Sequence, residues 1–283
     1  MLKIGSHISF KAPNYLVDSI NESLENNANT VMIYLGPPQS SKRIDPSKYK
    51  VDEYKKELIN KISPIDIIVH APYIINLANL EKSEFAKKFL ISEINRMNVI
   101  GAKYIVLHPG ASLKQDINES LEHLAKNLKE ILNETKDVEI VLETMAGKSS
   151  EIGASLEQLK YLIDKVNDDR IGICLDTCHM WDAGYDLKND FESNNGKMLF
   201  DKLDKLSLTK KVKVIHLNDS KNELNSHKDR HENIGKGHIG KKALINFANH
   251  KNFDNIPIIL ETPYTDGKNL YAEEIKMIRE GRD

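Results

Sequence analysis

Short apolar runs of four to six residues alternate along the chain with longer stretches in which apolar side chains recur every three or four positions. The runs are Leu2–His7, Thr30–Leu35, Asp66–His70, Tyr104–His108, Glu139–Glu143, Ile171–Asp176, Lys213–His216 and Pro257–Glu261. They are β-branched and apolar on both faces, as parallel strands covered by helices are. Of the stretches between them, "SEFAKKFLISEINRMNVIGA" lines up Phe85, Phe89, Ile94 and Met97 on one side and stops at Gly101. In "SLEQLKYLIDKVNDD", Ser155 is placed to cap a helix that turns Leu159, Leu162, Ile163 and Val166 inward. Eight strand–helix repeats at even spacing, with no Gly/Ser linker or composition break, predict an α/β fold. The expected architecture is one (β/α)8 barrel, a single domain over residues 1–283.

Composition narrows the function only a little. Hydrophobic residues make up 40% and charged residues 29%, as in ordinary globular proteins. A net charge of -2 gives no long-range pull on a polyanion, so any nucleic-acid surface has to be local. Cys174 and Cys178 are the two cysteines; they form no Cys-x-x-Cys pair, and Cys174 lies inside an apolar run as a structural thiol would. That usage fits a reducing compartment. The opening "MLKIGSHISFKAPN" lacks an apolar signal region, and no run approaches the ~18 residues a membrane helix needs. The expectation is a soluble cytoplasmic protein with no membrane partner.

The chemistry sits where the runs end. Strands three to eight finish in His70, His108, Glu143, Asp176, His216 and Glu261. A lone histidine at a strand end is most simply a hydrogen-bonded residue. Six consecutive strand ends with metal-competent groups point instead to a cation site on the face where barrel enzymes place their chemistry. Without a cation, the three carboxylates would raise one another's pKa values. His179 follows Asp176 by three residues, and in "KDRHENIG" Asp229 and His231 stand two apart, so an extended backbone points both the same way. Nine nitrogen and oxygen ligands exceed a single zinc site and suit two or three Zn2+ ions, with Mn2+ or Fe2+ compatible at one. His7, at the end of the first run, reads as a supporting residue behind the ligands. His123 and His250 read as surface groups, and His227 and His238 as loop residues outside the ligand set.

The stretches "GSHIS", "VHAPYIINLA", "LHPG", "LETMAGKSSEIG", "LDTCHMWDAGYDL", "HLNDSK", "DRHENIGKGHIG" and "ILETP" together resemble the endonuclease IV family of apurinic/apyrimidinic endonucleases, in the family's order. The resemblance implies a TIM barrel with three zinc ions that acts on double-stranded DNA containing abasic sites. Such an enzyme cuts the phosphodiester 5′ to the lesion, leaves a 3′-hydroxyl and serves base excision repair, with 3′-end-cleaning phosphodiesterase activity and a monomeric state also expected. Matched by motif, His70 and His108 would hold the first zinc and Glu143 would bridge it to the second. Asp176, His216 and Glu261 would complete the second, and His179, Asp229 and His231 would hold the third. Glu143 and Glu261 are the catalytic candidates. "LGPPQSSKR" is similar to the family segment that enters the minor groove, which makes Gln39, Lys42 and Arg43 expected DNA contacts, and Tyr73 is placed to approach the abasic gap. Lys42, Arg43, Lys221, Lys228, Arg230 and Lys236 would form a local phosphate-binding rim. The chain departs from the family pattern at Lys148, Ser149 and Asn225, near the expected mouth, which bears on DNA affinity more than on metal binding. Trp181 reads as packing.

Two other functions share part of this pattern. A sugar isomerase or epimerase on a related barrel needs Glu143, Asp176, His216 and Glu261 for one divalent ion but not the remaining five ligands. A non-enzymatic protein that binds abasic DNA needs basic and aromatic groups rather than a carboxylate-bridged metal cluster.

Overall fold

The computed structural model describes residues 2–281. The strands are β1 (Ile4–His7), β2 (Thr30–Ile33), β3 (Ile67–His70), β4 (Tyr104–Leu107), β5 (Glu139–Glu143), β6 (Ile171–Asp176), β7 (Val212–His216), β8 (Asp219–Ser220), β9 (His231–Glu232) and β10 (Ile258–Leu260). Eight of them close a parallel barrel in the order β1-β10-β7-β6-β5-β4-β3-β2, while β8 and β9 form a separate antiparallel ribbon. The helices are α1 (Leu16–Glu25), α2 (Val51–Glu57), α3 (Ser83–Ile100), α4 (Ile117–Glu134), α5 (Leu156–Val166), α6 (Thr177–Asp182), α7 (Leu187–Ser193), α8 (Lys197–Lys205), α9 (Lys241–Ala248) and α10 (Tyr271–Glu280).

The eight expected strands are present, each within two residues of its predicted bounds. The second ends early, at Ile33, and leaves Tyr34 and Leu35 beyond it. His108 and Glu261 also lie one residue past their strands. The helix caps follow the sequence: Gly101 ends α3 with φ 84° and donates to the Met97 carbonyl, and the Ser155 hydroxyl accepts from the Gln158 amide at the start of α5. One position differs. Phe85 stands 57% exposed on the outer side of α3, whereas Phe89, Ile94 and Met97 are buried as expected. Spacing by four puts Phe85 one turn ahead of the buried stripe, near the helix end.

Two cores fall out of the period of two along each strand. Outward residues such as Ile67, Val69, Ile105 and Ile140 meet the helices. Inward residues fill the barrel itself with one layer, Met32, Ile68, Val106, Val141, Cys174, Val214 and Ile259. Two residues further along each of these strands lie Tyr34, His70, His108, Glu143, Asp176, His216 and Glu261. The next layer at the C-terminal face is therefore almost entirely ionisable, which is why the strand ends looked anomalous in the sequence. In β7 the alternation is broken. Ile173 pairs with Val212 but Cys174 pairs with Val214, so Lys213 is an extra residue, bulged out of the ladder. Gly172 faces that point: a Cβ there would lie 2.5 Å from Lys213 Cγ and 2.9 Å from the Lys211 carbonyl oxygen.

Candidate metal centre

Glu143 occupies the middle of the ionisable layer with 1% of its surface exposed. Its Oε2 lies 3.2 Å from His70 Nε2 and 3.1 Å from His108 Nε2. Its Oε1 lies 3.0 Å from His216 Nδ1 and 3.4 Å from His179 Nδ1. Burial raises the pKa of this carboxyl, and the facing charges of His216 and His108 overcome it, holding the group well below the carboxylate range. The backbone sets ring orientation. His70 Nδ1 donates to the Ala71 carbonyl at 2.7 Å and His179 Nδ1 to the Thr144 carbonyl at 2.8 Å, which turns each Nε2 toward the carboxylates of the cavity.

A second cluster surrounds His216. Its Nδ1 lies 3.0 Å from Glu143 Oε1, 3.0 Å from Glu261 Oε2 and 3.9 Å from Asp176 Oδ2. Three carboxylates cannot share one ring proton, and the arrangement suits the coordination shell of a cation. Asp176 serves two neighbours at once: Oδ1 caps α6 by accepting from the His179 amide, and Oδ2 accepts from Asn218 Nδ2 at 2.8 Å. Asn218 also accepts from the Glu261 amide at 2.9 Å, so one amide side chain fixes two acids.

The third cluster comes from α6 and the β8–β9 ribbon. His179 Nε2 is 3.2 Å from Asp229 Oδ1, and His231 Nε2 is 3.6 Å from the same oxygen and 3.7 Å from Asp176 Oδ2. That His231 nitrogen is buried with no hydrogen-bond partner among the described residues, a cost that a purely structural histidine would not carry. His70, Glu143 and His216; Glu143, Asp176, His216 and Glu261; and His179, Asp229 and His231 each bring one ligand atom apiece to within 4.8 Å of one another. The donor sets fit divalent zinc. Cys178 also approaches Asp176 and His231, but burial and the Asp176 carboxylate push its thiol up and outweigh the pull of His179 toward the thiolate.

Around these groups opens a cavity of about 270 Å³, lined also by Tyr73, Met145, Lys148 and Glu151. Tyr73 is half exposed, with its ring 5.3 Å from that of His108, and its amide donates to the Pro38 carbonyl, tying it to the loop after β2. On that loop Gln39 and Lys42 are exposed. Arg43 differs from expectation. Its side chain is 3% exposed and pairs at 2.9 Å with the fully buried Glu93, while Nη1 donates to the Ser40 and Lys42 carbonyls. It shapes the loop from beneath and has no face free for DNA. Lys221, Lys228, Arg230 and Lys236 are exposed.

His7 packs edge-on against Tyr34 at 5.0 Å, and Tyr34 in turn lies 4.8 Å from His70, so His7 supports a ligand through an aromatic ring rather than a hydrogen bond. His123 and His250 are half-buried rather than surface groups: the first bonds Ser83 Oγ and the second stacks on Phe200. His227 and His238 lie outside the ligand clusters, the first bonded to the Ala146 carbonyl and the second beside Glu223. Trp181 is 5% exposed and donates to the Asn222 carbonyl, a packing role. Asn225 takes the left-handed conformation, φ 64°, that the departure from glycine required. Lys148 reaches Asp229 Oδ2 at 3.3 Å. The sequence reading missed Tyr34, Thr144 and Asn218. Asn218 follows His216 by two, so the strand period alone could have flagged it.

Residues 20–281 match the family described as the xylose isomerase-like TIM barrel. A probable endonuclease 4 from Mycoplasmopsis synoviae is 59% identical over 278 residues, covering 98% of each chain. Among solved structures, endonuclease IV from Thermus thermophilus superposes with a TM-score of 0.84 at 25% identity, covering 99% of this chain and 98% of that one. A 3-keto-D-glucoside 4-epimerase from E. coli superposes with a TM-score of 0.69 at 14% identity over 99% of this chain and all of its own (100%), a likeness of fold alone. By the full-length identity to its relatives and the match across the barrel, the chain belongs to the endonuclease IV family.

Proposed function

We propose that this protein is a zinc-dependent endonuclease that hydrolyses the phosphodiester 5′ to an abasic site in double-stranded DNA and leaves a 3′-hydroxyl. The observation that carries the reading is the convergence of nine imidazole and carboxylate groups, from seven chain segments, around one centre at the mouth of the barrel. His70 and His108 would hold one zinc with Glu143, and Glu143, Asp176, His216 and Glu261 a second. His179, Asp229 and His231 would hold a third. Zinc ions so placed, when bound, supply Lewis acidity toward a phosphodiester and bring a water's pKa near neutrality. Glu143, with Oε2 toward His70 and His108 and Oε1 toward His216, would be shared by the first two sites. Tyr73, half exposed at the mouth, offers a ring to the gap where a base is missing, and an abasic nucleotide leaves the stack at the least cost. Gln39 and Lys42 stand on the loop that Tyr73 anchors and would meet the backbone. Removal of damaged 3′ ends would use the same cavity.

A sugar epimerase is the competing reading, since Glu143, Asp176, His216 and Glu261 would serve one ion. The His179–Asp229–His231 cluster has no role in it. The test pairs cleavage with metal content. Purified protein given a duplex with one abasic site is expected to nick it once, leaving an extendable 3′-hydroxyl, and to bind three zinc ions per chain. One ion per chain and an intact duplex would reject the nuclease.

A further inference from the structure

Asp182 lies at the end of α6 with none of its surface exposed, yet no cationic side chain pairs with it among the described residues. Burying a lone carboxylate is expensive unless strong donors replace its water. Here they come from one segment. Asp182 Oδ2 accepts from the Asp229 amide at 2.7 Å and from Asn222 Nδ2 at 3.1 Å, and Oδ1 accepts from Ser220 Oγ at 2.8 Å. The backbone continues the clamp: the Asp182 carbonyl accepts from the His227 amide, and that of Trp181 from the Asn225 amide. The clamped loop needs such support. Asn225, His227 and Asp229 all hold positive φ, 64°, 55° and 56°, a conformation uncommon outside glycine, although Asn, Asp and His adopt it more readily than other residues. Asp229 thus faces His179 and His231 from a loop whose successive turns are tied to the end of α6 by these bonds.

We propose that Asp182 is a positioning residue for the third cation site, setting the direction of the Asp229 carboxylate through its amide. This rests on the metal reading above, since it assigns a residue behind one ligand of that cluster. The shortest of the three side-chain bonds goes to the ligand's own backbone, as a device for aiming that ligand would require. It also explains why a carboxylate rather than an apolar residue fills a fully enclosed position.

The test is zinc affinity, site by site, by equilibrium dialysis against a zinc buffer. Asp182→Ala is expected to weaken one of three ions about 10- to 100-fold, the usual effect of losing a partner behind a ligand, and to leave the other two unchanged. Asp182→Asn keeps an accepting oxygen for the Asp229 amide but loses the charge, and should weaken the same ion by less than Asp182→Ala does, under about 10-fold. In an Asp229→Ala background, which lacks that ligand, neither change should alter the two remaining affinities. Hydrogen exchange of the metal-free protein gives a second readout: the Asp229 amide should lose protection in Asp182→Ala. Unchanged affinity at all three sites in a folded variant overturns the proposal. If Asp182→Ala does not fold, unchanged affinity in Asp182→Asn overturns it equally. A parent protein that binds no zinc overturns the metal reading itself, and the proposal with it.

Discussion

Glu143 is the side chain on which the centre turns. It touches four imidazoles, two per oxygen. Truncating it leaves those rings facing one another with no anion between them. Glu143→Ala and Glu261→Ala are each expected to lower the rate of abasic-site cleavage by more than about 100-fold, beyond the effect of losing a partner outside the ligand shell. Single-turnover kinetics on a saturated duplex measures this, and parental rates in both variants would exclude these acids from the reaction. Most of these residues were legible because a charged group closing an apolar strand is improbable without a partner. Asp182 was not legible. In sequence it is one acid in a polar turn, and only the enclosure of α6 reveals its burial.

At the scale of elements, strands and ligands were read together because both follow the period of two. The β8–β9 ribbon escaped, as strands of two residues have no periodicity to detect. The loop after β2 is expected to contact DNA by its likeness to the family segment, but likeness in sequence does not say which way each side chain turns. Lys42 points out, whereas Arg43 packs over the Phe89 ring at 4.9 Å and pairs with Glu93. The two should therefore separate by experiment. Arg43→Ala leaves the buried Glu93 only the more distant Arg96, at 3.9 Å, and is expected to lower stability by about 3 kcal/mol in urea unfolding, the low end for a broken buried pair. Lys42→Ala should leave stability unchanged and reduce the salt slope of DNA binding by about one. A destabilised Lys42 variant, or an Arg43 variant of parental stability, would reverse this assignment.

For the molecule as a whole, the zinc reading sets protons and metal in competition for one group of side chains. In the metal-free protein burial works against protonation of His179, but Asp176, Asp229 and Glu143 outweigh it and hold the ring's pKa well above the ordinary value. For His216, burial is likewise overcome, with Cys174, Glu261 and Glu143 facing it. Cys174 is a neutral thiol, pushed up to about 12 by burial, so the pull comes from the two carboxylates. A raised histidine pKa stabilises the metal-free fold fully below the unfolded imidazole value, and that contribution is lost as pH climbs through the folded one. Zinc must displace those protons, so its affinity grows over the same range. The Tm difference between zinc-loaded and chelator-treated protein is therefore expected to widen from about pH 6 to about pH 8.5. Scanning calorimetry across that range checks it, and a constant or narrowing gap would contradict it.

The surplus residue in β7 makes the strand unevenly tolerant of shortening. Val212 faces the helices and Val214 the interior, so the two would alternate correctly as immediate neighbours. Loss of Lys213 would simply close the bulge and leave His216 in its seat. Loss of Ile215, two positions later, has no such slack to absorb it. The imidazole would swing to the helix side, and Leu217 would arrive among Glu143, Asp176 and Glu261 in its place. A lineage of this chain can thus drop one residue from β7 and keep its chemistry, or drop another of the same strand and forfeit it, although both deletions yield strands of equal length.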